Sequence, residues 1–83
     1  MEITVWTKSN CVQCTQTKKE LAKRGIEFTE KNLEENPEQM QAFIEQGFLA
    51  APIVTTDVKT WSGFRIDKIT SLTAYLMGKK DAN

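Results

Sequence analysis

Apolar and polar positions along this chain fall into short blocks whose period switches from two to nearly four and back again. Ile3-Thr4-Val5-Trp6 is a β-branched and aromatic run that reads as a central strand, and the polar residues Thr7 to Asn10 after it suit a loop. From Val12 to Arg24 the Gln, Lys, Glu, Leu and Ala content favours helix. Lys23 and Arg24 fall in its last turn, where cations complement the helix dipole, and Gly25 follows as a C-cap. The apolar stripe of this helix is sparse, consisting of Cys14, Thr17, Leu21 and Ala22, with the stems of Lys18 and Lys19 expected to cover the remainder. Ile26 to Leu33 contains a second, polar-rich strand that suits a sheet edge, with Phe28 as its clearest core residue. Asn36-Pro37-Glu38-Gln39 is a helix start, with Asn as N-cap, Pro at the first helical position and Gln three residues after the cap. Met40, Phe43, Ile44 and Gly47 follow at helical spacing, and Gly47 also ends the helix.

Pro52 to Thr56 and Lys59 to Trp61 read as two strands paired in an antiparallel hairpin around a turn near Asp57. Asp67 is placed to cap a last helix carrying Ile69, Leu72 and Leu76 on one face. The order is therefore β-α-β-α-β-β-α. Two βαβ-type crossovers feeding a hairpin and a terminal helix predict an α/β domain, a four-stranded mixed sheet with three helices on its two faces. The domain is expected to span 1–77, with a flexible polar tail at 78–83.

Composition narrows the chemistry. A chain of 83 residues builds one core, and 11 Lys+Arg against 11 Asp+Glu leaves no basic nucleic-acid footprint and no acidic tail. No apolar run approaches a membrane span, and the N-terminus passes directly into a strand pattern, so the expected location is a reducing cytoplasm. There is no histidine, which removes Cys–His pairs, Ser–His–Asp triads and histidine metal sites within one chain. A monomer is the default expectation, with a swapped dimer as the alternative.

Against that background the two cysteines stand out, as Cys11-Val12-Gln13-Cys14 between a strand and a helix. Two thiols three residues apart at a helix N-terminus can be joined and parted with little backbone motion. Free N–H groups and the positive end of the helix dipole favour a thiolate on the first. Lys8 is a further candidate for stabilising that charge. The helix carries the second sulfur inward, so Cys11 is expected to be the exposed nucleophile and Cys14 the buried resolver. Half a zinc site and two merely packed cysteines are the competing readings; the first lacks its other ligands, and strand–CxxC–helix placement argues against both. That placement, with the element order, is a minimal thioredoxin fold. In such a fold Ala51-Pro52 faces the CxxC with a cis bond, leaving the Ala51 backbone to hydrogen-bond an incoming peptide as an added strand. Trp61-Ser62-Gly63-Phe64-Arg65 holds two large aromatics around Ser-Gly beside the same surface. They read either as core fillers or as an exposed docking patch, with Gln13 a partner for the Ser62–Gly63 backbone.

CVQC, the Ala-Pro-Ile-Val strand and WSGFR together resemble the NrdH-redoxins, over roughly residues 1 to 76. The resemblance implies a dithiol–disulfide oxidoreductase that donates electrons to the large subunit of class Ib ribonucleotide reductase. Its expected source of electrons is NADPH through thioredoxin reductase, with no bound cofactor and no metal. Ala51, Pro52, Trp61, Ser62, Gly63, Phe64 and Arg65 are then the expected docking residues. Ile66 departs from the family pattern, where proline is usual, which is expected to loosen the start of the last helix. Ordinary glutaredoxins carry Pro-Tyr between the cysteines and a glycine-rich segment before the last helix that helps hold glutathione; here Trp61 to Arg65 has one glycine. A glutathione-dependent glutaredoxin and a non-catalytic CxxC redox sensor are the alternative functions.

Overall fold

Four short strands and three helices make up the computed structural model, which describes the backbone of residues 1–81 and the side chains of residues 1–77. In chain order they are β1 (Thr4–Thr7), α1 (Val12–Lys23), β2 (Thr29–Asn32), a 3-10 turn (Leu33–Glu35), α2 (Pro37–Glu45), β3 (Ile53–Thr55), β4 (Thr60–Ser62) and α3 (Ile66–Asp81). The sheet order is β2-β1-β3-β4. β1 runs parallel to β2 and antiparallel to β3, and β4 closes a hairpin with β3. Only the β1–α1–β2 connection is thus a parallel crossover. The segment through α2 returns the chain to the other side of β1 in the opposite direction, where two parallel crossovers were expected.

The alternation of side chains along each strand divides the core into two layers. Val5, Val54 and Trp61 form one cross-strand row and are buried with Leu21 of α1 and Ile69 and Leu72 of α3. Trp6 and Ile53, in the adjacent row, face Leu33 and Phe43, with the Trp6 and Phe43 rings edge-on at 5.4 Å. One register sends each strand's neighbouring residues to opposite helical layers, so a slip by one position would exchange both cores. β2 is indeed an edge strand and polar: Glu30 accepts from Thr7 Oγ1 at 3.1 Å and pairs with Lys18 at 3.0 Å.

α1 stops at Arg24 because Gly25 takes φ +71°, a conformation that costs other residues a clash with Cβ. Ile26 N–H then reaches back to the Leu21 carbonyl at 2.9 Å and Gly25 N–H to Ala22 at 3.0 Å, the Schellman arrangement, with Leu21 and Ile26 both in the core. α2 ends the same way, Phe48 N–H on the Phe43 carbonyl at 2.9 Å.

Several local expectations are corrected. Phe28 is only partly buried and lies before β2; Ile26 and Leu33, on either side of the strand, go further into the core. Ala22 and Ile44 face solvent at the margins of their helices. Asn36 precedes α2, but its side chain donates to the Asn32 carbonyl at 2.8 Å instead of capping, because the 3-10 turn brings that carbonyl within reach. α3 starts two residues earlier than a cap at Asp67 requires: Asp67 sits in its first turn and grips Arg65. Ile66 thus takes the first helical position. The backbone of 78–81 continues α3, where a tail was expected, and residues 82 and 83 lie outside the described residues. Among the described residues no helix is long and apolar enough to cross a membrane.

Candidate active site

Strand register assembles the site at the C-terminal end of β1. Trp6 pairs with Ile53 and Ile53 with Ser62, so the residues one step beyond each pairing come side by side: Thr7 and its loop, Pro52, and Gly63. The Ala51–Pro52 bond is cis, as expected. The Pro52 carbonyl accepts the Gly63 N–H at 2.7 Å, which ties the proline segment to the end of β4.

Asn10 takes a left-handed φ of 57°, which Asn tolerates better than most residues, and swings the chain so that Cys11 becomes the N-cap of α1. The Cys11 sulfur accepts the Cys14 N–H at 3.1 Å, occupying the place where a capping hydroxyl or carboxylate oxygen usually stands. Cys11 and Cys14 are joined as a disulfide across a Cα separation of 5.2 Å. Cys11 is half-exposed, whereas Cys14 is 2% exposed and faces the core with Thr17 and Leu21. When the bond opens, the unpaired N–H groups and the helix dipole act on the sulfur that solvent can reach.

The two residues between the cysteines have separate tasks. Val12 is 72% exposed beside the disulfide. Gln13 turns its side chain toward the segment after β4, and its Oε1 accepts the Phe64 N–H at 3.0 Å. Gly63 has φ +85°, and a Cβ there would stand 3.4 Å from the same oxygen, so both the turn and the close approach favour glycine. The expected link between Gln13 and this segment is made, at Phe64 rather than at Ser62 or Gly63.

Trp61 is placed differently from an exposed docking aromatic. It is 3% exposed and lies in the core row with Val5 and Val54, because its position in β4 points to the layer filled by α1 and α3. Phe64, just beyond the strand, is half-buried and packs on the edge of that core. Ser62, Gly63 and Ala51 are likewise half-buried at the rim, Pro52 is buried, and Arg65 is exposed and engaged bidentately with Asp67 at 3.0 and 2.9 Å. Hydrogen bonding to Arg65 lowers the Asp67 pKa, and the same contact raises that of Arg65.

Lys8 is exposed, and its charge is felt by Glu34. Glu34 Oε1 accepts both the Ser9 hydroxyl at 2.8 Å and the Ser9 N–H at 3.2 Å, pinning the loop two residues before Cys11. These two hydrogen bonds hold the Glu34 carboxyl below the usual Glu range, the hydroxyl contributing most. Sequence reading missed Ser9 and Glu34, since nothing local connects positions 25 apart. Thr17 was visible only as one position of the helical stripe.

A dithiol that opens and closes at the head of a helix, facing a cis-proline across the end of a four-stranded mixed sheet, places the chain among thiol–disulfide oxidoreductases of the thioredoxin fold. Comparison with known proteins narrows the class. The glutaredoxin family profile matches residues 3–61. Glutaredoxin-like protein NrdH of Lactococcus lactis subsp. cremoris (strain MG1363) is 44% identical over 70 residues, covering 84% of this chain and 97% of its own. The NrdH of Escherichia coli (strain K12) is 42% identical over 72 residues, covering 87% and 89%. The solved structure of NrdH-redoxin from Escherichia coli matches with a TM-score of 0.83 over 87% of this chain and 95% of that one, at 42% identity. The chain belongs to the NrdH-redoxins, glutaredoxin-like members of the glutaredoxin family, and is a thiol–disulfide oxidoreductase.

Proposed function

We propose that this protein reduces the disulfide of the class Ib ribonucleotide reductase large subunit and is itself reduced by thioredoxin reductase, in the cytoplasm and as a monomer. NADPH supplies the electrons through the reductase, and no bound cofactor takes part. The Cys11 thiolate attacks one sulfur of the target disulfide; the other sulfur leaves as a thiolate and takes up a proton. Cys14 loses its proton and attacks Cys11, releasing the second target thiol and closing the Cys11–Cys14 disulfide. The target gains two electrons and two protons, and the redoxin loses the same.

The observation that carries this reading over a glutathione-dependent glutaredoxin is the engagement of the Phe64 N–H by Gln13. Glutathione is an anion with few apolar contacts to offer, so its capture depends on a cation and on backbone amides in this segment. Here one such amide is already satisfied from within the CxxC, and the Phe64 ring flanks it. The 42–44% identity to NrdH proteins supports the same choice, as does the thioredoxin-like activity profile described for the Escherichia coli NrdH-redoxin. Ala51, Pro52, Ser62, Gly63, Phe64 and Arg65 form the docking rim around Cys11, with Lys8 and Val12 on its other side.

The test follows NADPH oxidation with a disulfide substrate under two recycling systems at matched concentrations. One contains thioredoxin reductase and the other glutathione with glutathione reductase. Turnover with thioredoxin reductase alone is the expected result. Turnover mainly with glutathione would make the protein a glutathione-dependent glutaredoxin. Many turnovers per redoxin molecule are required in either case; a single turnover would favour the redox sensor.

A further inference from the structure

We infer that Thr17 is the hydrogen-bond donor that stabilises the Cys14 thiolate when the resolving step begins. Thr17 is 0% exposed, and its hydroxyl has no partner among the described residues. The other well-placed helical threonines behave differently. Thr15, on the same helix, bonds the Cys11 carbonyl at 3.4 Å, and Thr73 on α3 bonds the Ile69 carbonyl at 2.8 Å. That contact four residues back is the ordinary way for a helix to satisfy a hydroxyl. Thr17, the most buried of the three, does not use it. A buried hydroxyl without a partner is costly, and valine would fill the same volume without that cost. A partner that becomes available in another redox state would remove that cost.

Cys14 is that partner. It lies three residues earlier on the same buried face of α1 and is itself 2% exposed. Helical side chains lean toward the N-terminus, so the Thr17 side chain leans over the turn that bears Cys14. Cβ atoms at this spacing are about 5–6 Å apart, a gap that a hydroxyl and a sulfur reaching toward each other close to bonding distance. In the oxidised state the Cys14 sulfur is bonded to Cys11 and is a weak acceptor. In the mixed disulfide between Cys11 and a target, Cys14 is free and must give up its proton in an apolar layer that raises a thiol pKa.

Two buried donors without a partner stand among the described residues, the Thr17 hydroxyl and Trp61 Nε1, and of these only Thr17 lies on α1 itself, one turn from Cys14. Val5, Val54, Ile69 and Leu72, which pack in the same layer, carry no donor and no ionisable group, and the other buried hydroxyls are those of Thr4 and Thr7 on β1. On α1 itself Lys18 is turned to Glu30, and Cys11 is the sulfur under attack. Thr17 keeps its proton and donates a hydrogen bond. The Cys14 proton passes to solvent, the new S–S bond forms between Cys14 and Cys11, and the target thiolate leaves.

The test uses the full chain, reduced and mixed rapidly with 5,5′-dithiobis(2-nitrobenzoate). The first thionitrobenzoate released reports attack by Cys11, and the second reports resolution by Cys14. In Thr17→Val the pH midpoint of the second release is expected to rise by about one unit, the effect of losing one hydrogen bond to a charged group. The first release should be unchanged, and Thr17→Ser should restore the wild-type midpoint. The oxidised Thr17→Val protein should unfold at a higher urea concentration than wild type, because an unpaired buried hydroxyl has gone. Thr17→Ala removes the same hydroxyl with a smaller side chain and must show the same midpoint shift, which keeps the test decisive should the valine variant fail to fold. An unchanged second midpoint in the variants lacking the hydroxyl would overturn the assignment, as would an equal shift in Thr17→Ser.

Discussion

Gln13 Oε1, lying between the two cysteines in sequence, accepts the backbone N–H of Phe64, 51 positions away, at 3.0 Å. With Gly63 N–H on the Pro52 carbonyl, this bond joins all three segments that surround the disulfide. The dipeptide inside the CxxC therefore does more than space the sulfurs: its second residue fastens the helix N-terminus to the segment after β4.

Gly63→Ala tests that fastening. The left-handed φ of +85° costs an alanine about 1–2 kcal/mol, and its Cβ meets Gln13 Oε1 at 3.4 Å. Urea unfolding should show a loss of that size. Gln13→Ala should cost less, about 0.5–1.5 kcal/mol, because only one exposed hydrogen bond is removed. Wild-type stability in the Gly63 variant would show that the segment can relax around a side chain.

The two cysteines should respond to mutation in opposite ways. Cys14→Ser is expected to accumulate a covalent adduct with the target on Cys11, visible by mass spectrometry without reductant, since the half-exposed sulfur attacks and nothing resolves it. Cys11→Ser leaves the 2% exposed sulfur alone and should form none. An adduct in the Cys11 variant would reverse the assignment of nucleophile and resolver.

Trp61 and Phe64 are adjacent to the same glycine yet should fail differently. Trp61→Ala opens a cavity in the core row and should cost about 3–5 kcal/mol, a large share of the stability of a small domain. Phe64→Ala removes a half-buried ring at the rim and should retain the fold while raising KM for the reductase. Thermal unfolding alongside reductase kinetics separates the two; unchanged kinetics in a folded Phe64 variant would remove that ring from the docking surface.

Acid should release the loop that carries Cys11. The Glu34 carboxyl is held below the usual Glu range by the Ser9 hydroxyl and then the Ser9 N–H. A depressed folded pKa means that this contribution is fully present above the unfolded pKa, about 4.3, and disappears as pH falls through the lower folded value. The Ser9 amide and the Glu34 carboxyl carbon should therefore titrate together by NMR, with a midpoint below about 4.3. In Glu34→Gln the Ser9 amide should lose that transition. A Ser9 amide indifferent to Glu34 ionisation would break the proposed coupling.

Ile66 begins α3 and is exposed, so restoring proline there should strengthen the helix start. Proline suits the first helical position, where the lost N–H has no intrahelical partner, and it restricts the unfolded chain. Ile66→Pro should gain about 0.4–1 kcal/mol in urea unfolding. A loss of stability would mean that the backbone at 65–66 cannot accept the ring.

Much of the fold could be read from local pattern. The stripe of Cys14, Thr17 and Leu21, the stops at Gly25 and Gly47 and the polar character of β2 all depend on neighbours within a turn or a strand, and each was found where expected. The starts of α2 and α3 were less legible, because Asn36 and Asp67 each had a competing partner, the Asn32 carbonyl and Arg65, that a capping rule does not weigh.

The sequence by itself determined which groups are available for chemistry: two thiols at a strand–helix junction, in a chain without histidine, favour sulfur exchange over any histidine-based catalysis. Tertiary structure decided what surrounds those thiols. Strand register, Trp6 on Ile53 and Ile53 on Ser62, brings Pro52 and Gly63 beside the disulfide and sends Trp61 inward while Phe64 stays at the rim. The pairing of Gln13 with Phe64 and of Ser9 with Glu34 spans the fold in the same way. The reason is physical: local composition sets which dihedrals and faces are favourable, but contacts between distant positions exist only once the two core layers have fixed the register of the sheet.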